Sequence, residues 1–288
     1  MPVPLLLDVY RPEDDGVNRP AYLFIHGGGF TGGTKAKPEI VSMANDFASR
    51  GWVFFSIDYR TVEELGTISG MTEEQVVAHY SGFAPSEWTR TLLAGVDEPS
   101  DIAQLQQGIA MYTAQRDARA ALRWVVANAD IYGINKDFIT VGGASAGAIT
   151  TVALGIADPS DFRDEISEAD DPTLVTTNLD VAYEVRSLVY LWGSNVKLEL
   201  LEAVYGEDPY DAGDPELFMA HGTDDENPTT AFSEATELQA IYADLGIHSE
   251  LYPLEGEGHG AWGAEVDGRS LFALSSEFLV ARQGLVVE

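Results

Sequence analysis

Seven short runs of the chain are rich in the apolar, β-branched and aromatic residues that buried strands favour. These runs are 5–10, 21–26, 52–59, 138–142, 186–192, 217–221 and 249–254. Most are continuous apolar blocks, such as AYLFIH and WVFFSI, with no alternation of polar and apolar positions. Strands of this kind are typical of a mainly parallel sheet that is covered on both faces. The pattern therefore predicts a mostly parallel, twisted sheet of about seven or eight strands.

Helical periodicity separates these runs. Apolar residues recur at helical spacing in 38–50, 115–128, 232–245 and 269–282. Gly51 and Gly246 follow two of these helices, at the position that a C-terminal cap occupies. Strands that alternate with helices indicate an α/β fold, and we expect residues 1–288 to form a single domain of this class.

Residues 61–114 interrupt the alternation and are too many for an ordinary connection. Thr72 begins the capping-box sequence T-E-E-Q, which predicts a helix, and the dipeptide 100–101 is placed to cap another. We expect 61–114 to be an ordered helical lid inserted into the domain. A second segment, 158–183, is acidic and polar and is interpreted as a surface excursion.

Charge and composition exclude several classes of function. The 288 residues include 16 basic and 47 acidic side chains, a net charge of −31, which repels nucleic acids and anionic membrane surfaces. Cysteine is absent, which excludes disulfides, thiolate metal sites and a cysteine nucleophile. No apolar run approaches the ~20 residues that span a bilayer, and 1–8 lacks the features of a signal peptide, although a trimmed secretory precursor stays open. We expect a small-molecule partner, with no metal and no cofactor.

The pentapeptide Gly143-Ala144-Ser145-Ala146-Gly147 follows a strand-like run and precedes a helical one. A serine on such a sharp turn is strained and exposed, and only glycines two residues to either side avoid a collision. Ser145 is therefore the candidate nucleophile. The sequence 26–30, H-G-G-G-F, also follows a strand, and its bare backbone N–H groups are suited to bind an oxyanion.

A serine nucleophile needs a base, and the chain has five histidines. His259 lies in the glycine-flanked loop G-E-G-H-G near the C-terminus and is the preferred base, with His248 as the fallback. The base in turn needs a carboxylate to orient it. The strand 217–221 ends in an acidic loop, where Asp225 is preferred and Asp224 is the alternative.

The order Ser145, Asp225, His259 resembles that of the α/β-hydrolases. The pairing of HGGGF with GASAG is similar to the carboxylesterase and hormone-sensitive-lipase-like branch, and matching features extend from residue 5 to 282. The resemblance implies that the backbone N–H groups of Gly28, Gly29 and Ala146 form the oxyanion hole. One departure is that D-Y-R at 58–60 runs into T-V-E instead of a leucine-alanine-proline segment, so the resemblance says little about the substrate pocket.

These features predict an esterase that uses a Ser-His-Asp triad and an acyl-enzyme, with short-chain or aryl esters as substrates. Phe30, Trp192 and Trp262 are candidate substrate contacts. The alternatives are a hydrolase of plant-polymer esters (acetyl or feruloyl), an amide or peptide hydrolase, and a binding module that has kept the scaffold.

Overall fold

The computed structural model describes residues 4–162 and 165–285, and within these ranges seven strands form one sheet. They are β1 (Leu7–Tyr10), β2 (Arg19–Ile25), β3 (Val53–Ile57), β4 (Ile134–Ala144), β5 (Ser187–Leu191), β6 (Glu216–Gly222) and β7 (Ser249–Leu254). The order across the sheet is β1-β3-β2-β4-β5-β6-β7, in which β1 is antiparallel to β3 and all other neighbours are parallel. Each of the seven predicted runs overlaps one of these strands. The predicted α/β class with a mostly parallel sheet is confirmed.

Ten α-helices lie in the described residues. They are α1 (Pro38–Ser49), α2 (Val62–Leu65), α3 (Glu73–Tyr80), α4 (Ser86–Leu93), α5 (Ile102–Ala127), α6 (Ala129–Tyr132), α7 (Ala146–Ile156), α8 (Val196–Tyr205), α9 (Phe232–Leu245) and α10 (Leu271–Gln283). Two-residue strands β8 (Glu265–Val266) and β9 (Arg269–Ser270) form a small hairpin before α10.

One helix differs from its prediction. The run 115–128 is only the second half of α5, which is continuous over 26 residues. The helix expected from the 100–101 cap is its first half. Gly108 lies inside α5 at a point where a neighbouring helix approaches closely: a Cβ there would lie 2.7 Å from the Leu92 side chain of α4. The boundary of the proposed lid at residue 114 therefore falls inside a helix.

Both faces of the sheet are buried, as the continuous apolar blocks indicate. In β2, Leu23 and Ile25 belong to a core cluster shared with α5, α7 and α9. Tyr22 and Phe24, which alternate with them, face a second cluster that includes α1 and α10. Strands β2 and β4 are neighbours near the centre of the sheet. The H-G-G-G-F loop follows the carboxyl end of β2, and the G-A-S-A-G pentapeptide lies at the carboxyl end of β4.

The segment 158–183 is anchored to α5. Phe162 and Leu174 are buried, and Asp171 forms an ion pair with Arg116 of α5 at 2.7 Å. Residues 163 and 164 of this segment, and residues 1–3 of the stretch considered as a signal peptide, lie outside the described residues. Of the helices in the described ranges, none combines the length and the apolar composition needed to cross a bilayer.

Candidate active site

Ser145 occupies a sharp turn between β4 and α7, with φ 56° and ψ −123°. Its backbone N–H donates to the carbonyl of Leu191 at 2.9 Å, which ties the turn to β5. A Cβ at Gly143 would overlap the backbone of Gly147, and a Cβ at Gly147 would overlap the carbonyl of Ile25. The two glycines of the pentapeptide are thus required by the close approach of backbone, and the serine is held in a conformation that is rare for a residue with a side chain.

The structure brings Ser145, His259 and Asp225 together. Nε2 of His259 lies 2.9 Å from Oγ of Ser145, and Nδ1 lies 2.7 Å from Oδ2 of Asp225. Because a carboxylate only accepts, Nδ1 carries the hydrogen, and Nε2 is left to accept from the serine hydroxyl. The Asp225 side chain is fully buried and that of His259 is 31% exposed. Asp224, the alternative carboxylate, is exposed at the surface, and the carboxylate in contact with His259 is that of Asp225.

The fallback histidine is elsewhere. His248 immediately precedes β7, and its Nε2 is 3.2 Å from Oε1 of Glu250 while its ring stacks on Phe278. Of the two histidines considered as the base, the one in contact with Ser145 is His259.

A second histidine, which sequence reasoning did not assign, also reaches the buried carboxylate. Nε2 of His221 lies 3.0 Å from Oδ2 of Asp225 and 2.8 Å from the carbonyl oxygen of Thr230. The backbone N–H of Asn227 donates to the other carboxylate oxygen at 3.0 Å. Burial lowers the pKa of His221. The sequence signal was its position at the end of β6, four residues before Asp225.

The glycine loop after β2 is held by hydrogen bonds to the carbonyl groups of Gly27 and Gly28. The carbonyl of Gly27 is 2.8 Å from Nδ1 of His26, and the carbonyl of Gly28 accepts from the backbone and the hydroxyl of Thr31. Since C=O and N–H point in opposite directions in a trans peptide, the N–H groups of Gly28 and Gly29 face away from these bonds. A Cβ at Gly27 would lie 3.0 Å from Cβ of Ser145, so the loop packs directly against the serine turn.

Several contacts that sequence reasoning did not predict support this loop. His26 is buried, which lowers its pKa, and its ring stacks on Tyr59, whose hydroxyl donates to the His26 carbonyl at 2.9 Å. From the inserted segment, Gln107 donates to the Gly29 carbonyl at 3.0 Å and the N–H of Val62 donates to the Phe30 carbonyl at 2.9 Å. The only sequence signal for these contacts was the D-Y-R tripeptide after β3.

Two of the three candidate substrate contacts are buried. Phe30 is 3% exposed and Trp192 is 1% exposed, while Trp262, which is partly exposed, packs edge-on against Trp192 with ring centres 5.0 Å apart. A groove of about 1420 Å³ opens between α5, β1 and residues 170–178, but neither Ser145 nor these aromatic residues line it. As substrate contacts, the three residues remain predictions.

Among the described residues, no group of three or more histidine, aspartate or glutamate side chains is arranged to hold a metal ion. This covers the acidic loop after β6 and residues 158–162 and 165–183 of the acidic segment.

A serine on a strand-to-helix turn of a mostly parallel sheet, followed along the chain by its carboxylate and its histidine, defines the α/β-hydrolase class. Within that class, the BD-FAE family model matches residues 7–71 and 105–193, just over half of the chain. The protein belongs to the BD-FAE family. The matched residues contain Gly28, Gly29 and Ser145, whereas Asp225 and His259 come after them.

Two curated relatives are hydrolases by name. Esterase LipC of Mycobacterium tuberculosis is 26% identical over 171 residues, which are 59% of this chain and 31% of LipC. Phenmedipham hydrolase of Pseudarthrobacter oxydans is 29% identical over 151 residues, which are 52% of this chain and 22% of that protein. The chain thus spans less than a third of the length of the curated relatives that it matches.

Solved structures of esterase 2 from Thermogutta terrifontis share the fold. The propionate-bound form has a TM-score of 0.65 and 22% identity, and the form phosphorylated by paraoxon has a TM-score of 0.67 and 22% identity. In both comparisons 99% of this chain and 92% of the other are covered. Together with the family match, these relatives confirm the resemblance to the carboxylesterase branch.

Proposed function

We propose that this protein is a serine hydrolase of carboxylic esters, with Ser145 as nucleophile, His259 as general base and acid, and Asp225 as the carboxylate that orients His259. The observation that carries the proposal is the continuous set of contacts from Ser145 Oγ through His259 to the buried Asp225, at 2.9 and 2.7 Å. Each contact lies within the reach that proton transfer requires.

In the acylation step, Oγ of Ser145 attacks the ester carbonyl carbon while its proton passes to Nε2 of His259. The negative charge that develops on the carbonyl oxygen is stabilised by the N–H groups of Gly28, Gly29 and Ala146. Ala146 is the first residue of α7, and the first N–H groups of a helix have no partner within it. Each such donor contributes about 2.7–4 kcal/mol to the stability of the transition state.

Collapse of the tetrahedral intermediate breaks the ester C–O bond, and the imidazolium of His259 gives its proton to the leaving alcohol. A water molecule then attacks the acyl-enzyme with the same histidine as base, which releases the acid and restores the serine. In both steps Asp225 keeps the ring of His259 in the tautomer with hydrogen on Nδ1 and stabilises its charged form.

For the substrate, we propose an ester with a short acyl chain or an aryl alcohol. Support comes from esterase 2 of Thermogutta terrifontis, whose solved structures include a propionate-bound and a butyrate-bound form. Segment 61–114 is proposed to cover this site, because Val62 and Gln107 bond to the glycine loop itself.

The test is hydrolysis of a short-chain aryl ester by the wild type and by Ser145→Ala. We expect the variant to lose at least about a thousandfold in kcat. A fluorophosphonate reagent should label the wild type at Ser145, located by peptide mass spectrometry, and should not label the variant. Ser49→Ala, which changes an exposed serine on α1, is the matched control and should behave as the wild type. Turnover or labelling that survives in Ser145→Ala would contradict the proposal.

The choice between ester and amide substrates rests on the leaving group that His259 must protonate. Assays of an ester and its amide isostere, run in parallel with the same acyl group, distinguish the two. We expect turnover of the ester to exceed that of the amide. A faster amide would make the protein an amidase with the same triad.

A further inference from the structure

Two histidines share one carboxylate oxygen at the proposed triad. Oδ2 of Asp225 is 2.7 Å from Nδ1 of His259 and 3.0 Å from Nε2 of His221. The proposed mechanism uses the first contact and assigns nothing to the second. Because both the Asp225 and the His221 side chains are fully buried, water does not supply this contact in place of the histidine.

The tautomer of His221 follows from its partners. Its Nε2 faces the carboxylate and, at 2.8 Å, the carbonyl oxygen of Thr230, and both of these groups only accept. Nε2 therefore carries the hydrogen. Nδ1 lies 3.3 Å from the hydroxyl of Tyr190 on β5. Burial, the largest influence on His221, disfavours a charge on the ring, so that it donates as a neutral imidazole.

His221 also holds the loop that approaches His259. The carbonyl of Thr230 accepts a hydrogen bond from Nε2 of His221, while the Thr230 hydroxyl lies 3.2 Å from Nδ1 of His259. The ring of Phe232, at the start of α9, packs edge-on against His221 with centres 5.9 Å apart. One buried ring thus connects the carboxylate, the loop after it and the following helix.

We propose that His221 is a positioning residue for the triad, and this inference rests on the proposed function. By donating to Oδ2 of Asp225 and to the Thr230 carbonyl, it fixes the plane of the carboxylate so that Oδ2 stays on the line of Nδ1 of His259. It never touches the substrate. Its loss frees the carboxylate to rotate about its own side-chain torsion and leaves one acceptor unmatched in a buried site.

The test compares two amides at position 221. The amide nitrogen of glutamine reaches the place of Nε2, whereas that of asparagine reaches only the place of Nδ1. We expect His221→Asn to lower kcat by about tenfold to a hundredfold, the loss for one hydrogen bond to a charged group, with KM changed less than about twofold. His221→Gln should recover most of kcat. His248→Leu, which removes a histidine in contact with Glu250 instead, is the matched control and should keep the wild-type kcat.

A purely structural role would give a different result, because loss of packing would lower the melting temperature of both amide variants alike and would not separate kcat from KM. Equal kcat values in the wild type, His221→Asn and His221→Gln would overturn the inference. An independent measurement that needs no variant is the ¹⁵N chemical shift of His221, which should report hydrogen on Nε2; hydrogen on Nδ1 would also overturn it. If instead the wild type neither hydrolyses esters nor labels at Ser145, it is the proposed function that fails.

Discussion

Replacing Lys197 by methionine should change how the stability of this protein depends on pH. Lys197 lies on α8 and is 0% exposed. Its Nζ donates to Oε1 of Gln115 at 2.8 Å and to Oγ1 of Thr150 at 2.9 Å, and it lies 5.4 Å from the ring centre of Phe30. These partners are neutral, and among the described residues no carboxylate pairs with the amine. Burial, reinforced by repulsion from Arg119, lowers the pKa of Lys197 well below 10.5.

The sign of the effect follows from proton binding. In the unfolded chain the lysine binds its proton up to about pH 10.4, whereas in the folded protein it loses the proton at much lower pH. Between the two pKa values the unfolded state holds one more proton. The free energy of unfolding of the wild type therefore rises with pH by about 1.4 kcal/mol per pH unit in this window. Methionine has a similar length and no proton to bind, so Lys197→Met lacks this contribution.

The assay is urea unfolding at pH 7, 8 and 9, followed by circular dichroism. The free energy of unfolding of the wild type minus that of Lys197→Met should increase by up to about 2.7 kcal/mol over these two pH units. Lys136→Met removes an exposed lysine and controls for the same change in net charge. A difference that stays constant or falls with pH would refute the reasoning. Thr150 also donates to the carbonyl of Ala146, so the amine is two hydrogen bonds from the first residue of α7.

Two further predictions concern the serine turn and an acidic surface cluster. Gly147→Ala should abolish esterase activity or folding because its Cβ would overlap the Ile25 carbonyl, whereas Gly263→Ala, which meets nothing within 4 Å, should keep both; an active Gly147→Ala would contradict the geometry. Partial burial, with repulsion from nearby aspartates, raises the pKa of Asp214 to about 7, so the folded state loses stability as pH rises from 4 to 7. The free energy of unfolding of Asp214→Asn should therefore exceed that of the wild type by about 1 kcal/mol at pH 8, after allowance for solvent screening. At pH 4 the two free energies of unfolding should differ little. Equal pH dependence of the two proteins would contradict this.

The strands and the serine turn could be predicted from the sequence because each depends on short-range pattern. A block such as AYLFIH is apolar on both sides, and only a central strand of a covered sheet buries both sides at once. The helix predicted over 232–245 matches α9, whose last residue is followed by Gly246 in a left-handed conformation. For Ser145, the two flanking glycines are demanded by backbone contacts that any strand-to-helix turn of this kind makes.

Other features depend on contacts that the sequence does not contain. Helix α8 was not predicted, and it buries Lys197, a residue type that usually lies at the surface. The glycine at position 108 of α5 lies where Leu92 of α4 approaches and leaves little room for a Cβ. The role proposed for His221 is visible only once the loop after β6 folds back and places Asp225 and the Thr230 carbonyl on the same ring nitrogen.

The continuity of α5 limits how the inserted segment can move. A lid made of residues 61–114 would have to hinge at its C-terminal boundary, but that boundary lies in the middle of α5, where opening would break main-chain hydrogen bonds of the helix. The middle of α5 is also held by two ion pairs. Asp117 of α5 forms a nearly buried ion pair with Arg60, and Arg116 of α5 forms one with Asp171. Substrate access that requires movement must therefore come from the residues before α5. Gln107 lies on α5 and keeps its hydrogen bond to the Gly29 carbonyl, whereas Val62, which lies before α5, makes the contact with the glycine loop that such a movement would release.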